Sequence, residues 1–201
     1  METPFVFGKI ASETNFTDRT LETNQLISNF NSSINTILIS PRRWGKSSLV
    51  AKAAETASKN SKSLRFCFID IYNIRTEEQF YQLLAQEVIR ASSEKIDGIL
   101  ENVKKFMGRF IPKVTFSPDP NSEFALGLDW EAVKKQPDDI LNLAENIAKE
   151  KKLKFIICID EFQNISGFEE PLAFQKKLRS HWQKHTQTSY CLYGSKRNML
   201  M

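Results

Sequence analysis

A chain of 201 residues with 41% hydrophobic and 26% charged content is long enough to bury a substantial core and too apolar to be disordered by composition. Its 28 basic and 24 acidic residues leave a formal net charge of +4, an excess too small to argue alone for a nucleic-acid or membrane surface. No apolar run reaches bilayer-spanning length, and residues 1–10 lack the basic start and long apolar stretch of a secretory signal, so a cytoplasmic protein without a membrane partner is expected.

In chain order, residues 36–39 read as a first strand, rich in β-branched side chains, and a helix follows from about 45 to 58 with Leu49, Val50 and Ala53 on one side. A second strand is predicted at 64–71. The next helix opens at Thr76-Glu77-Glu78-Gln79, where Thr76 caps and Gln79 reaches back, and Phe80, Leu83, Leu84 and Val88 repeat at helical spacing. From 108 to 137 the alternation breaks at Pro112, Pro118, Pro120 and Pro137. There, Val114 and Phe116 face Phe124, Leu126 and Leu128 across residues 117–123, which predicts an inserted hairpin with a long turn. A helix at 138–152, a strand at 155–159, a helix at 171–185 with Pro171 in its first turn and a strand at 189–192 complete the pattern.

Strands alternating with helices predict right-handed crossovers and a parallel sheet, with ligands beyond the carboxyl ends of the strands. The first three strands lack clean alternation, which predicts burial on both faces. Cys67, Cys158 and Cys191 each sit in an apolar segment and read as buried small residues rather than a disulfide or zinc set. His181 and His185 lie four apart on a predicted helix without an acidic third ligand, and read as solvated side chains with no assigned role. Lys176, Lys177, Arg179, Lys184, Lys196 and Arg197 read as a solvated basic face.

The first strand runs into Ser40-Pro41-Arg42-Arg43-Trp44-Gly45-Lys46-Ser47 and then Ser48 inside the helix. Strand, loop and helix in this order make a concave donor site for phosphate oxygens from successive backbone N–H groups and the helix N-terminus. Gly45 lets the main chain approach closely, Lys46 neutralises the β- and γ-phosphates, and the Ser47 hydroxyl ligates Mg²⁺. Ser40 stands where such loops usually carry glycine. Arg42 and Arg43 read either as solvated charges or as phosphate contacts, and Trp44 as packing over the loop.

The strand at 155–159 runs directly into Asp160-Glu161, putting two carboxylates at its carboxyl edge. Asp160 is placed to hold Mg²⁺ and Glu161 to orient and deprotonate an attacking water. After the last strand, Ser195 in Tyr193-Gly194-Ser195-Lys196-Arg197 reads either as a γ-phosphate sensor or as a plain turn residue.

Four segments together resemble the AAA-like P-loop ATPases that carry an additional strand and a catalytic glutamate, in the group of prokaryotic ATPases related to the archaeal-type and STAND families. They are Phe16-Thr17-Asp18-Arg19-Thr20-Leu21-Glu22, residues 40–48, Ile159-Asp160-Glu161-Phe162-Gln163 and Gly194-Ser195-Lys196-Arg197. The resemblance implies a three-layer α/β fold in the 5-1-4-3-2 strand order, ATP as the nucleotide, and Arg19 as a nucleotide contact. It also implies a fifth strand and a helical lid after the sensor strand. The sequence stops at Met201, so one P-loop domain over 1–201 is expected, with that lid missing through truncation or because the chain is a piece of a longer protein.

Three functional readings follow. The first is a Mg²⁺-dependent ATPase, the second a nucleotide-binding switch with little turnover acting on a protein partner or a missing C-terminal effector domain, and the third a fragment of a DNA-associated ATPase.

Overall fold

The computed structural model describes residues 19–93, 96–108, 113–115 and 125–195. Residues 16–18, the 117–123 turn, Phe116, Phe124, Lys196 and Arg197, all used in the sequence reading, lie outside that set.

The order of elements is α1 (Thr20–Asn31), β1 (Thr36–Ile39), α2 (Lys46–Asn60), β2 (Leu64–Asp70), α3 (Glu77–Ala91), α4 (Ile96–Met107), β3 (Lys113–Thr115), β4 (Ala125–Gly127), α5 (Trp130–Lys135), α6 (Pro137–Leu141) and α7 (Leu143–Lys151). It continues with β5 (Lys154–Asp160), a 3₁₀ helix (Phe162–Gly167), α8 (Pro171–Trp182) and β6 (Thr188–Gly194). Four strands form one parallel sheet in the order β1-β6-β5-β2, while β3 and β4 pair antiparallel with Val114 opposite Leu126. Counting only the parallel strands, the order is first, fourth, third, second, which is the predicted arrangement without a fifth strand.

Helices cover both faces of the sheet. In β5, Ile156 and Cys158 pack with Leu26, Phe30, Leu49, Val50 and Ala53 of α1 and α2. Phe155, Ile157 and Ile159 point the other way, into a larger core with Phe80, Leu84, Val88, Ile147, Phe174 and Leu178. This alternation of faces is the two-residue period of a strand, with both faces apolar because both are covered. Phe80, fully buried, meets Phe174 edge-on with ring centroids 5.2 Å apart; burial of such a ring is worth about 2–3 kcal/mol. Cys67, Cys158 and Cys191 are buried and free, as their apolar settings predict.

Burial on both faces holds for β5 and β6 but not for the first two strands. Among the described residues β1 and β2 are the sheet edges: Ile37 and Ile39 remain 46% and 42% exposed and Phe68 44%. Ile37 looks into a groove of about 630 Å³ whose walls include Leu178, Trp182 and Leu192. Apolar composition marks a strand as internal to a sheet only when the number of strands is known, and the four described strands leave two edges.

Helix ends follow local chemistry. The Thr76 hydroxyl accepts from Gln79 N at 3.2 Å to start α3, and Gln79 Oε1 reaches back to accept from Arg75 N at 2.8 Å. The single helix expected over 138–152 is two, broken at Asn142, and the helix expected to reach 185 ends at Trp182. α1 and α4 are additions to the predicted pattern. Among the described residues no helix is long and apolar enough to cross a membrane.

Candidate functional site

The carboxyl ends of β1, β5 and β2 bring the Ser40–Ser47 loop and the two acids together. β1 delivers the chain into the loop, and Ser40 N donates to Gly194 O at 3.4 Å, tying the loop's first residue to the end of β6. Arg43 and Gly45 both have φ of +65°, which turns the main chain over before α2 begins. Gly45 has open space where a Cβ would stand, so its left-handed backbone, not crowding, is what favours glycine. α2 then runs for 15 residues from this point, long enough to present an effective N-terminal dipole.

Lys46 is 6% exposed and folds back over the loop, its Nζ donating to Ser40 O at 3.0 Å and Pro41 O at 2.9 Å. Ser40 Oγ is buried without a hydrogen-bond partner. The Ser47 hydroxyl donates to Asp160 Oδ2 at 2.6 Å across 113 residues of sequence. That contact joins the two motifs read separately from the sequence. Asp160 Oδ1 also accepts from Glu161 N at 2.8 Å, and Glu161 itself has a left-handed backbone with φ of +52°.

Burial pushes the Asp160 carboxyl above its ordinary value; hydrogen bonds from Ser47 and Glu161 N work against this, and the charges of Glu161 and Asp70 add to it. A raised folded-state value means that ionised Asp160 costs stability: the cost is absent below the unfolded value and fully present once pH exceeds the folded one. Asp160→Asn is therefore expected to melt a few degrees above the parent chain near pH 7.5 when no nucleotide is present, with the gap closing towards pH 4. Thermal melts across that range check it; an unchanged or lower melting temperature at neutral pH refutes the costly-carboxylate account.

Of the other residues read from the sequence, Trp44 and the two histidines take places different from those predicted. Arg19 clamps Glu22 through two bonds of 2.7 Å and donates from Nη1 to Trp44 O at 2.9 Å, so it braces the outside of the loop. Trp44 does not pack over the loop: it sits at the exposed tip, 66% accessible. Pro41, Arg42 and Arg43 are exposed, Ser48 is buried, and Ser195 follows β6 at the same sheet edge. His181 and His185 are not solvated. His181 Nδ1 and His185 Nε2 both meet Asn142 Oδ1, at 3.1 and 3.0 Å, and His185 Nδ1 meets the Tyr190 hydroxyl at 2.8 Å. The break at Asn142 turns its amide towards α8, where the sequence alone offers no partner. On the supposed solvated face, Lys177 pairs with Glu77 at 3.0 Å.

Two participants escaped the sequence reading. Asp70 lies opposite Asp160 in the β2–β5 register, with its Oδ1 accepting from Tyr72 N at 2.8 Å. Its position at the end of an apolar strand, like that of Asp160, was the available signal. Gln163, 7% exposed, donates from Nε2 to Glu161 Oε2.

No protein-family model matches the chain, and no curated protein matches it in sequence. Solved structures match in fold. A Walker-type ATPase of Pyrococcus abyssi superposes with a TM-score of 0.57 at 19% identity, over 96% of this chain and 49% of that one. The Aeropyrum pernix ORC1 protein, solved in complex with DNA, gives 0.58 at 10% identity, over 92% and 41%. The Aeropyrum pernix ORC2 protein, solved as ADPNP-ADP complexes, gives 0.57 at 16% identity, over 98% and 45%. At these identities the likeness shows the fold, an α/β fold of the P-loop NTPase type with a parallel sheet between helical layers. The chain spans less than half the length of each of these structures.

Proposed function

We propose that this chain is the nucleotide-binding core of a Mg²⁺-dependent ATPase, a single P-loop domain over 1–201 with an insertion at about 108–137. The observation that carries the proposal is the 2.6 Å contact between Ser47 Oγ and Asp160 Oδ2. A hydroxyl and a carboxylate from distant segments converge at the head of α2, beside a buried lysine whose ammonium is satisfied by loop carbonyls. Hard oxygen donors of this kind, few in number and beside a phosphate-binding loop, suit Mg²⁺ held jointly with a nucleotide. A bound Mg²⁺ would offset the charge on the phosphates. In this reading Lys46 and the N–H groups of the loop bind the triphosphate, with Ser40 to Ser48 forming its cradle. Ser47 and Asp160 hold the metal, and Glu161 takes the proton of the attacking water. Ser195 senses the γ-phosphate from the end of β6, and Arg19 supports the loop from outside. ATP rather than another nucleotide rests on the resemblance of the four sequence segments, and the fold likeness to a Walker-type ATPase supports it.

Glu161→Gln tests the assignment. Steady-state phosphate release is expected to fall about a hundredfold while ATP binding persists, because loss of a general base removes a factor on the order of 10²–10⁴. Equal loss of binding and turnover would remove Glu161 from the role of base. The binding-switch reading draws on the Gln163 contact to Glu161, which engages the carboxylate in the free chain. Multiple turnover by the 201-residue chain decides against it.

A further inference from the structure

Two local costs meet at one carboxylate. Glu161 is a non-glycine residue in the left-handed region, with φ of +52° and ψ of +36°; such a backbone costs about 1 kcal/mol or more. Two residues on, Gln163 is buried at 7% exposure with its Oε1 lacking any partner. A buried, unsatisfied amide oxygen is itself destabilising. What both features achieve is to put the Gln163 Nε2 donor against Glu161 Oε2.

The scaffold beneath them is firm. Asn164 N donates to Glu161 O at 2.8 Å, and Asn164 Nδ2 donates to Ile71 O and Tyr72 O at 3.3 and 3.2 Å, so the 3₁₀ helix is tied to the end of β2. Phe162 and Ile165, 1% and 0% exposed, peg the same turn into the core. On the other side, Asp160 Oδ1 holds the Glu161 N–H. The main chain of Glu161 is thus fixed on both sides, and among the described residues the hydrogen bond to its side-chain carboxylate comes from the Gln163 amide. Only the Nε2 orientation of that amide is chemically sensible, since Oε1 against a carboxylate oxygen would be repulsive.

We propose that Gln163 is the positioning residue for Glu161: it holds Oε2 and leaves Oε1 as the oxygen that faces the attacking water. Gln163 touches neither nucleotide nor water in this scheme and acts only through Glu161. The proposal rests on the reading of Glu161 as the water-activating base. Restraining a general base to one rotamer raises turnover without altering how tightly the nucleotide is held, because the nucleotide contacts lie on a different segment, the Ser40–Ser47 loop.

Gln163→Met is the test, since methionine keeps about the length of glutamine and removes the amide, whose Oε1 has no partner and whose Nε2 makes the bond to Glu161. The expected result is a fall in kcat of about tenfold with KM and nucleotide Kd within about twofold of the parent chain. Gln163→Glu, which sets carboxylate against carboxylate, is expected to lose more. In a Glu161→Gln background Gln163→Met is expected to have no further effect on the residual rate. A readout independent of turnover is the Gln163 side-chain amide signal in ¹H–¹⁵N NMR spectra of the nucleotide-free chain. That signal, assigned by its disappearance in Gln163→Met, is expected to show slowed proton exchange that is lost in Glu161→Ala.

A parent-like kcat in Gln163→Met overturns the proposal, as does an equal loss of rate in the Glu161→Gln background or an unprotected amide in the free chain. If Glu161→Gln itself keeps full turnover, or the parent chain has none, the reading of Glu161 as base falls first and the positioning role with it. Loss of turnover in Glu161→Gln combined with a silent Gln163→Met defeats the positioning role alone.

Discussion

Lys46→Ala is expected to weaken binding of ATP in the presence of Mg²⁺ by about 10³-fold, the largest single effect on ligand binding in this molecule. Lys46 is the one cation buried among the residues of the loop, and its ammonium already sits over Ser40 O and Pro41 O at 3.0 and 2.9 Å. Moving from those carbonyls to phosphate oxygens exchanges two neutral acceptors for charged ones. Charge-assisted bonds are worth roughly 1.5–3 kcal/mol each, so two of them account for about 4 kcal/mol, or three decades of affinity. The same two carbonyls set the cost in the free chain: Ser40 is half-buried and Pro41 exposed, so water can replace the ammonium and the variant should melt within a few degrees of the parent. Isothermal titration with ATP and Mg²⁺, together with a melt of each variant, separates the two effects. Retained affinity in a folded variant refutes the assignment of Lys46 and, with it, the phosphate-binding role of the loop. Lys46→Arg is expected to fail nearly as badly, since a planar fork cannot fit the pocket that the compact ammonium occupies.

That prediction depends on features that were legible in the sequence. Strand, loop and helix around Gly45-Lys46-Ser47, and the strand ending in Asp160-Glu161, are local patterns, and local patterns survive folding. The parallel sheet was readable for the same reason: regular alternation of strands and helices supplies the crossovers that parallel strands require. Contacts that join remote segments were not readable. Ser47 and Asp160 are 113 positions apart, and nothing in either segment fixes a 2.6 Å hydrogen bond between them. Trp44 was expected to cover the loop because an indole usually finds apolar surface, yet the turn through Arg43 and Gly45 carries it outward. The bidentate pairing of Arg19 with Glu22, in the first turn of α1, is likewise a contact that the resemblance of segments does not supply. The edge strands failed for want of a count. Whether Ile37 is covered depends on what else the sheet contains, and composition is silent on that.

The two histidines show the same limit from the other direction, and they lead to the largest expected effect on stability. Glu145 of α7 is 3% exposed and accepts from Thr186 N at 2.9 Å, Thr186 Oγ1 at 3.0 Å and Gln187 N at 3.0 Å, with Lys149 Nζ at 3.0 Å. It fastens the turn that feeds β6, directly beside His185 and Tyr190. Glu145→Ala leaves two backbone N–H groups of that turn without an acceptor, each worth roughly 1–3 kcal/mol. The expected loss is about 3 kcal/mol, a drop in melting temperature on the order of 10 °C for a chain of this size. Glu145→Gln keeps one good acceptor and should lose about half as much.

The pH dependence adds a second test of the same cluster. Burial alone would raise the Glu145 carboxyl, but the bonds from Thr186, Lys149 and Gln187 outweigh it and hold the group at about 2, against an ordinary 4.5. A depressed carboxyl contributes stability that is complete above 4.5 and drains away as pH falls from there towards 2. Burial lowers His185 from 6.5 to about 4, with the charge of Glu145 opposing that shift and those of His181 and Lys149 adding to it. The neutral ring is satisfied, donating from Nε2 to Asn142 Oδ1 and accepting at Nδ1 from the Tyr190 hydroxyl. The unfolded chain takes up this proton first, so stability falls from about pH 6.5 down to 4 on account of His185 and from 4.5 to 2 on account of Glu145. Melts from pH 7.5 to 3 should therefore show a net decline in the parent chain, opposed by the gain from protonating Asp160, and a continuous one in Asp160→Asn. In Glu145→Gln the limb below 4.5 should flatten while the His185 limb persists. Constant stability of Asp160→Asn from pH 7.5 to 5 removes the buried neutral histidine from the account. β6 carries seven residues between this turn and Ser195, roughly 20 Å of extended chain, so Glu145→Gln should leave nucleotide affinity within about twofold. A parallel loss of affinity and stability would mean instead that the turn and the Ser40–Ser47 loop are coupled along β6, through the bond from Ser40 N to Gly194 O at its far end.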